Sequence, residues 1–318
     1  MDIVAKNGGV VGYSIIFYKK LKLLGGCSSA SASSNNDSTN NQRSQFFNNR
    51  TESKPNPAKI ATKLNRLSNE PPHNAKWDCK AIIRKLNYLE KSTRPDIAFA
   101  AHQVARFQTH PKQAHTKAVQ WLGRYIQGTQ RKGIIIQPNM ELFEVYADAD
   151  FAGTWNCETT HEDSDTAWSW MVYIVKFRGS PITWCSKLIP EIMLSTTEAE
   201  YVSLSEAFRT VIPLLNIYNE CKERNIVSKH PQTKVYCKVS EDNSGALEMA
   251  KNPKFRPRTK HLNIKYHHFR SWIAQEGEYN KDKIQIYAIK ATDQPADLLT
   301  KAVDQTSFIK FCKSICGW

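Results

Sequence analysis

Between residues 142 and 223 the chain changes periodicity once, and that change restricts its fold more than any other feature. "LFEVYADADF" alternates as a strand does, "AWSWMVYIVKF" reads as a second strand and "SPITWCSK" as a third. From Thr197 to about Glu223 the apolar residues recur instead at Tyr201, Leu204, Phe208, Val211 and Leu215, the spacing of a helix with one buried face. A strand "KVYCKVS", a short helix "SGALEMA" and a basic loop and helix "NPKFRPRTKHLNIKYHHFRSWIAQ" follow. A strand "KIQIYAI" and a helix "QPADLLTKAV" come next. Three strands, then helix, strand, helices, strand and helix is an α/β order, which predicts a mixed five-stranded sheet with flanking helices.

The start of the long helix, "MLSTTEAEYVSL", carries two glutamates one residue apart. A helix advances about 100° per residue, so Glu198 and Glu200 point roughly 200° apart. Stepping back four from Leu204 reaches Glu200, which belongs to the apolar stripe, where an unpaired carboxylate is costly. Glu198 is expected on the solvent side.

Three further acids stand at element ends. Asp148 lies in "YADADF" at the end of the first strand, Asp242 in "VSEDNSG" after the fourth, and Asp297 in "QPADLL" in the first turn of a helix. Each alone has an ordinary explanation: a turn-forming surface acid, a helix cap, or an acid favoured by a helix N-terminus. As a set of four with Glu200 they are more specific, because ligand sites of α/β sheets lie beyond strand ends. Four carboxylates in a small volume repel one another, and two divalent cations about 3.5–4 Å apart would relieve that. All-oxygen ligands suit Mg²⁺ or Mn²⁺ rather than zinc.

The rest of the chain is organised by composition. Residues 25 to about 57 are low-complexity Ser/Asn with few apolar residues and are expected to be disordered. From Trp77 to about Gln130 the periodicity is helical, with Pro95 and Pro111 opening segments and Gly128 closing one. The formal net charge of +14 favours a polyanionic partner. It is concentrated in residues 1–140, where 22 Lys+Arg face 7 Asp+Glu, a net of +15; the remainder is nearly balanced. Eight scattered cysteines without a CxxC pair predict reduced thiols in an intracellular protein, cytoplasmic or nuclear, rather than zinc or disulfides. The apolar run "GGVVGYSIIFY" is about half the length of a membrane span, so no membrane partner is expected.

"YADADFAG", "SPITWCSK", "LSTTEAEYVSL", "EDNSGALEMAKNP", "RTKHLNIKYHHFR" and "DQPADLLTKAV", in this order and spacing, resemble the ribonuclease H domain of copia-type retrotransposon Pol polyproteins. The resemblance covers roughly residues 141–305. It implies a ribonuclease H-like fold, with Asp148, Glu200, Asp242 and Asp297 as catalytic, metal-binding acids and two Mg²⁺ or Mn²⁺ ions as cofactors. The RNA strand of an RNA–DNA hybrid would be the substrate, and an intact reverse transcriptase subunit of a related element is a candidate partner. "NYLEKSTRPDIAFAAHQVARFQTHPKQAHTKAVQWLGRYIQGTQRKGIII" resembles the end of the reverse transcriptase domain of the same polyproteins. No Tyr-x-Asp-Asp turn of a polymerase palm occurs, so DNA polymerisation by this chain is not expected.

The resulting division is a disordered leader (1–57), a helical remnant of reverse transcriptase (58–138), a ribonuclease H-like domain (139–305) and a C-terminal tail (306–318). Lys187, Arg256, Arg258 and Lys260 are candidate phosphate contacts, supplying affinity rather than base readout. One departure from the family is notable: where a basic run usually follows the first strand, this chain has Glu158, Glu162, Asp163 and Asp165, which repel phosphate. The alternative to a nuclease is a catalytically inactive retrotransposon relic or a domesticated nucleic-acid-binding protein.

Overall fold

The structure is a computed structural model that describes residues 56–59, 64, 70–74, 76–139, 142–155, 157, 164–226, 237–252, 264–274 and 283–318. Nearly all of the low-complexity leader lies outside these residues, as do Arg256, Arg258 and Lys260 and the acids Glu158, Glu162 and Asp163. The described residues fall into two compact units, one within Met1–Ile135 together with Ala302–Trp318, the other Ile136–Lys301.

In the first unit, α1 (Cys79–Thr93), α2 (Ala98–Ala105) and α3 (Gln113–Gly128) occupy the stretch whose periodicity is helical. Asp78 caps α1, its carboxylate accepting from Ala81 N at 3.1 Å. Pro95 opens a 3₁₀ turn, Pro95–Ile97, where its missing N–H is no loss. The Arg94 guanidinium is buried and donates from Nε and Nη2 to Asp96 at 2.8 and 2.7 Å. Tyr125 of α3 donates to the same carboxylate at 2.7 Å, so this buried ion pair has the further hydrogen bond that makes burial tolerable.

The second unit is a five-stranded sheet in the order β3-β2-β1-β4-β5. Strands β1 (Phe143–Asp150), β2 (Trp170–Phe177) and β3 (Ser180–Leu188) form an antiparallel meander. The 28-residue helix α4 (Thr196–Glu223) then carries the chain across. Strand β4 (Cys237–Glu241) pairs parallel with β1. Helix α5 (Ser244–Lys251) and a 3₁₀ helix, Ile264–Trp272, precede β5 (Gln285–Ala288), which pairs parallel with β4. The mixed five-stranded sheet with flanking helices is thus the one the periodicities predict.

Alternation sorts the sheet's two faces. Phe143, Val145 and Ala147 of β1, with Met171 and Val175 of β2, join Tyr201, Leu204, Phe208 and Val211 of α4 in the main core. Phe269 of the 3₁₀ helix stacks on Phe208 with ring centroids 4.4 Å apart. Truncating a ring so enclosed to alanine typically costs about 3–5 kcal/mol. On the opposite face of β2, Trp170, Val172 and Ile174 are also buried. The four-residue helix α6 (Asp297–Thr300) packs against the first three strands, and Ser186 of β3 donates to Leu299 O at 2.7 Å. The helix expected over "QPADLLTKAV" is therefore a single turn, preceded by a 3₁₀ turn at Ala291–Asp293.

The C-terminal segment, read from sequence as a tail, forms helix α7 (Gln305–Cys316) in the first unit. Asp304 caps it, and Phe308, Phe311, Cys312 and Ile315 are buried along one side. Gly317 takes the left-handed conformation, φ 86°, that ends such a helix and favours glycine. No helix among the described residues is long and apolar enough to cross a membrane.

Candidate active site

The site begins where β1 and β4 part. Their parallel pairing ends at Tyr146–Ser240, and Asp148 and Asp242 lie two residues further along each chain. This is the crevice at the carboxyl ends of adjacent parallel strands, where the backbone leaves room for side chains to converge. Glu200 reaches the crevice from the second turn of α4, accepting a hydrogen bond from the Ala149 N–H.

Asp148, Glu200 and Asp242 each bring one carboxylate oxygen to within 4.8 Å of the others. Asp148 and Glu200 are buried and Asp242 is half-buried. Asp297, the fourth expected acid, lies outside that triple but acts on it, its charge raising the Asp148 carboxyl. It is also ion-paired with the Lys301 ammonium at 2.8 Å.

The neighbours of the acids are specific. Thr300 donates to Asp148 Oδ2 at 2.7 Å, and Gln294 donates to Ala147 O at 2.8 Å. Ser203 Oγ lies within hydrogen-bond distance of both Asp148 O and Val172 O, fastening α4 to the strands beneath the site. Asp242 does not cap α5. Asn243 does, accepting from Ala246 N at 3.0 Å, which leaves Asp242 free to face the crevice.

Crowding raises every pKa resolved among these acids above its ordinary carboxylate value. Burial, then Asp297, pushes the Asp148 carboxyl up to about 6, while the Thr300 bond acts in the opposite direction. Burial, then the charges of Glu241, Asp148 and Asp242, raises Glu200 to about 11. Asp242 and the half-buried Asp150 are raised too, chiefly by burial, with Lys301 pulling both down. Glu200 Oε2 and Asp242 Oδ1 are buried without a hydrogen-bond partner. Three converging carboxylates, two of them with a buried oxygen that has no partner, fit a hard divalent cation, which would remove the repulsion.

Two features differ from the sequence reading. Glu198, expected toward solvent, is buried, and its Oε2 accepts from Leu194 N at 2.7 Å. With Ser195 capping the Glu198 N–H at 3.1 Å, it forms a variant of the capping box that seals the start of α4. The face opposite the stripe is covered here, so an amphipathic count misjudges it. The other feature is Glu241, a fully buried carboxylate beside the site that the sequence reading misses. Burial holds it far above the ordinary carboxylate range; one oxygen accepts from Asn243 N at 3.1 Å and Oε2 has no partner. Alternation offers the signal, because Glu241 shares a strand face with Cys237 and Val239, both in the core.

Of the candidate phosphate contacts, Lys187 is described. It is half-exposed on β3 and paired with Glu206 of α4 at 3.5 Å. Arg256, Arg258 and Lys260 lie outside the described residues.

Fold and site together define an α/β protein with a buried carboxylate cluster at the diverging ends of its central parallel strands. Comparison of sequences places it further. Over 248 residues, 78% of this chain, it is 32% identical to the retrovirus-related Pol polyprotein from transposon TNT 1-94 of Nicotiana tabacum. Over 237 residues it is 32% identical to that from transposon RE1 of Arabidopsis thaliana. The chain belongs with the Pol polyproteins of copia-type retrotransposons, and it spans 17% and 14% of the length of these two relatives. No family model matches it. Among solved structures, the N-terminal ribonuclease H domain of a Mycobacterium tuberculosis protein, fused to maltose-binding protein, matches loosely. The TM-score is 0.32 and the identity 12%, over 55% of this chain and 98% of that one.

Proposed function

We propose that the chain is a divalent-cation-dependent nuclease of the ribonuclease H type, cutting the RNA strand of RNA–DNA hybrids by phosphodiester hydrolysis. The convergence of Asp148, Glu200 and Asp242 within 4.8 Å, with buried oxygens lacking partners, carries this reading. Similarity to retrotransposon Pol polyproteins supports the substrate class.

Asp148, Glu200 and Asp242 would hold one ion, with Asp148 and Asp297 at a second. A bound Mg²⁺ or Mn²⁺ supplies Lewis acidity at the phosphoryl oxygen and lowers the pKa of a water. The chain's own part is positioning. Thr300 fixes the rotamer of Asp148, the Ala149 N–H orients Glu200, and Ser203 holds α4 against the strand carrying Asp148. Burial and the neighbouring acids oppose the charged form of Glu200, which a bound cation would favour. The products would be a 3′-hydroxyl and a 5′-phosphate.

The test is incubation of the full-length protein with a hybrid labelled on both strands, in Mg²⁺. Cleavage confined to the RNA strand, absent in Asp148→Asn, is the expected result. Equal cutting by wild type and variant, or cutting of the DNA strand, overturns the proposal.

A further inference from the structure

Lys301 follows α6 in extended conformation, φ −145° and ψ 165°. Its Nζ lies 2.8 Å from Asp297 Oδ1. Its charge also acts on Asp148, Asp150 and Asp242, so one ammonium serves much of the acid cluster. The side chain is 51% exposed, which leaves its flexible four-carbon stem a way out toward solvent. Asp297, the acid that Lys301 neutralises directly, is also the one absent from the converging triple.

We propose that the Lys301 ammonium is a built-in counter-ion for the Asp297 side of the cluster. The first divalent ion binds at Asp148, Glu200 and Asp242 with Lys301 in place, and a second binds only by displacing the ammonium. This inference rests on the cation site proposed above and adds an order and an asymmetry to its filling. An ammonium and a divalent ion cannot share the Asp297 carboxylate at contact distance without strong repulsion. The second ion therefore binds against a tethered cation at contact distance, whereas the first meets that charge only from further off. The lysine also lowers the repulsion among the acids in the ion-free protein.

Titration of the full-length protein with Mn²⁺, reading free ion by electron paramagnetic resonance, tests this without reference to cleavage. Wild type is expected to bind one ion tightly and a second weakly. Lys301→Met and Lys301→Gln should tighten the second site by about tenfold or more, since the competing charge is gone. Lys301→Arg should behave as wild type, because a guanidinium keeps the charge. Circular dichroism in excess Mn²⁺ verifies that each variant is folded. Unchanged weak binding in both neutral variants overturns the role of Lys301 while leaving the first site standing. Failure of wild type to bind any ion, with Asp148→Asn indistinguishable from it, overturns the cation site and this inference with it.

Discussion

Thr300 Oγ1 donates to Asp148 Oδ2 at 2.7 Å, joining two residues 152 positions apart and tying the end of β1 to helix α6. Both are buried, so the bond forms without competition from water. Thr300→Val keeps the shape and removes the donor, which should destabilise the protein by about 1–3 kcal/mol, as for other buried acceptors left unpaired. Thr300→Ser should retain most of the stability. Urea unfolding of the ion-free protein measures both, and a Val variant as stable as wild type would show the bond to be idle.

Stability of the ion-free protein should fall with rising pH. The carboxyls of Asp148 and Glu200 are raised on folding, so the native state holds more protons than the unfolded chain and loses stability as these ionise. For Asp148 the loss runs from its ordinary value of 3.8 to about 6. For Glu200 it runs from 4.5 to about 11. Thermal melts in a chelator should show the midpoint dropping between mildly acidic and mildly alkaline buffer. Added Mg²⁺ should restore more at the alkaline end, and a flat or rising midpoint would contradict the account.

Glu200→Gln should separate stability from binding. The amide needs no proton to stay neutral, whereas burial and the charges of Glu241, Asp148 and Asp242 make the native Glu200 hold one that the unfolded chain releases. In mildly alkaline buffer without divalent ions it should gain at least about 1 kcal/mol, the worth of roughly one unit of pKa shift. The same change removes a ligand, so Mn²⁺ affinity should fall. Loss of both stability and affinity would instead mean that Glu200 is a structural acid.

In the first unit, Asp96→Asn should be severe. It leaves the buried Arg94 charge without its bidentate partner, and breaking such a pair typically costs about 3–5 kcal/mol. Tyr125→Phe removes one bond to the same carboxylate and should lose less. Chemical denaturation orders the two variants, and equal stability would show that the pair is not closed to water.

Much of this architecture is legible in period and spacing. The stripe through Tyr201, Leu204 and Phe208 assigns Glu200 to the buried side, and the alternation of "FEVYADAD" puts Asp148 at a strand end. What escapes is tertiary. Glu198 is buried because the segment before α4 folds over its first turn, and a local count of polarity does not report that cover. Glu241 is hidden by Asp242 beside it, although its phase with Cys237 and Val239 marks it as inward. The stripe Phe308, Phe311, Cys312 and Ile315 is visible in the terminal segment, yet a short segment after a recognisable domain end invites reading as a tail. Asp297 stands apart from the three converging acids and pairs with Lys301, a partner that their i,i+4 spacing signals and the sequence reading passes over.

The most direct test of the central claim is to locate the ion. Crystals of the full-length protein grown with Mn²⁺, measured at a wavelength where manganese scatters anomalously, should show a peak bounded by Asp148, Glu200 and Asp242. That result would establish the carboxylate cluster as a cation site. Well-ordered carboxylates with no anomalous peak between them, at ion concentrations that saturate binding in solution, would contradict it.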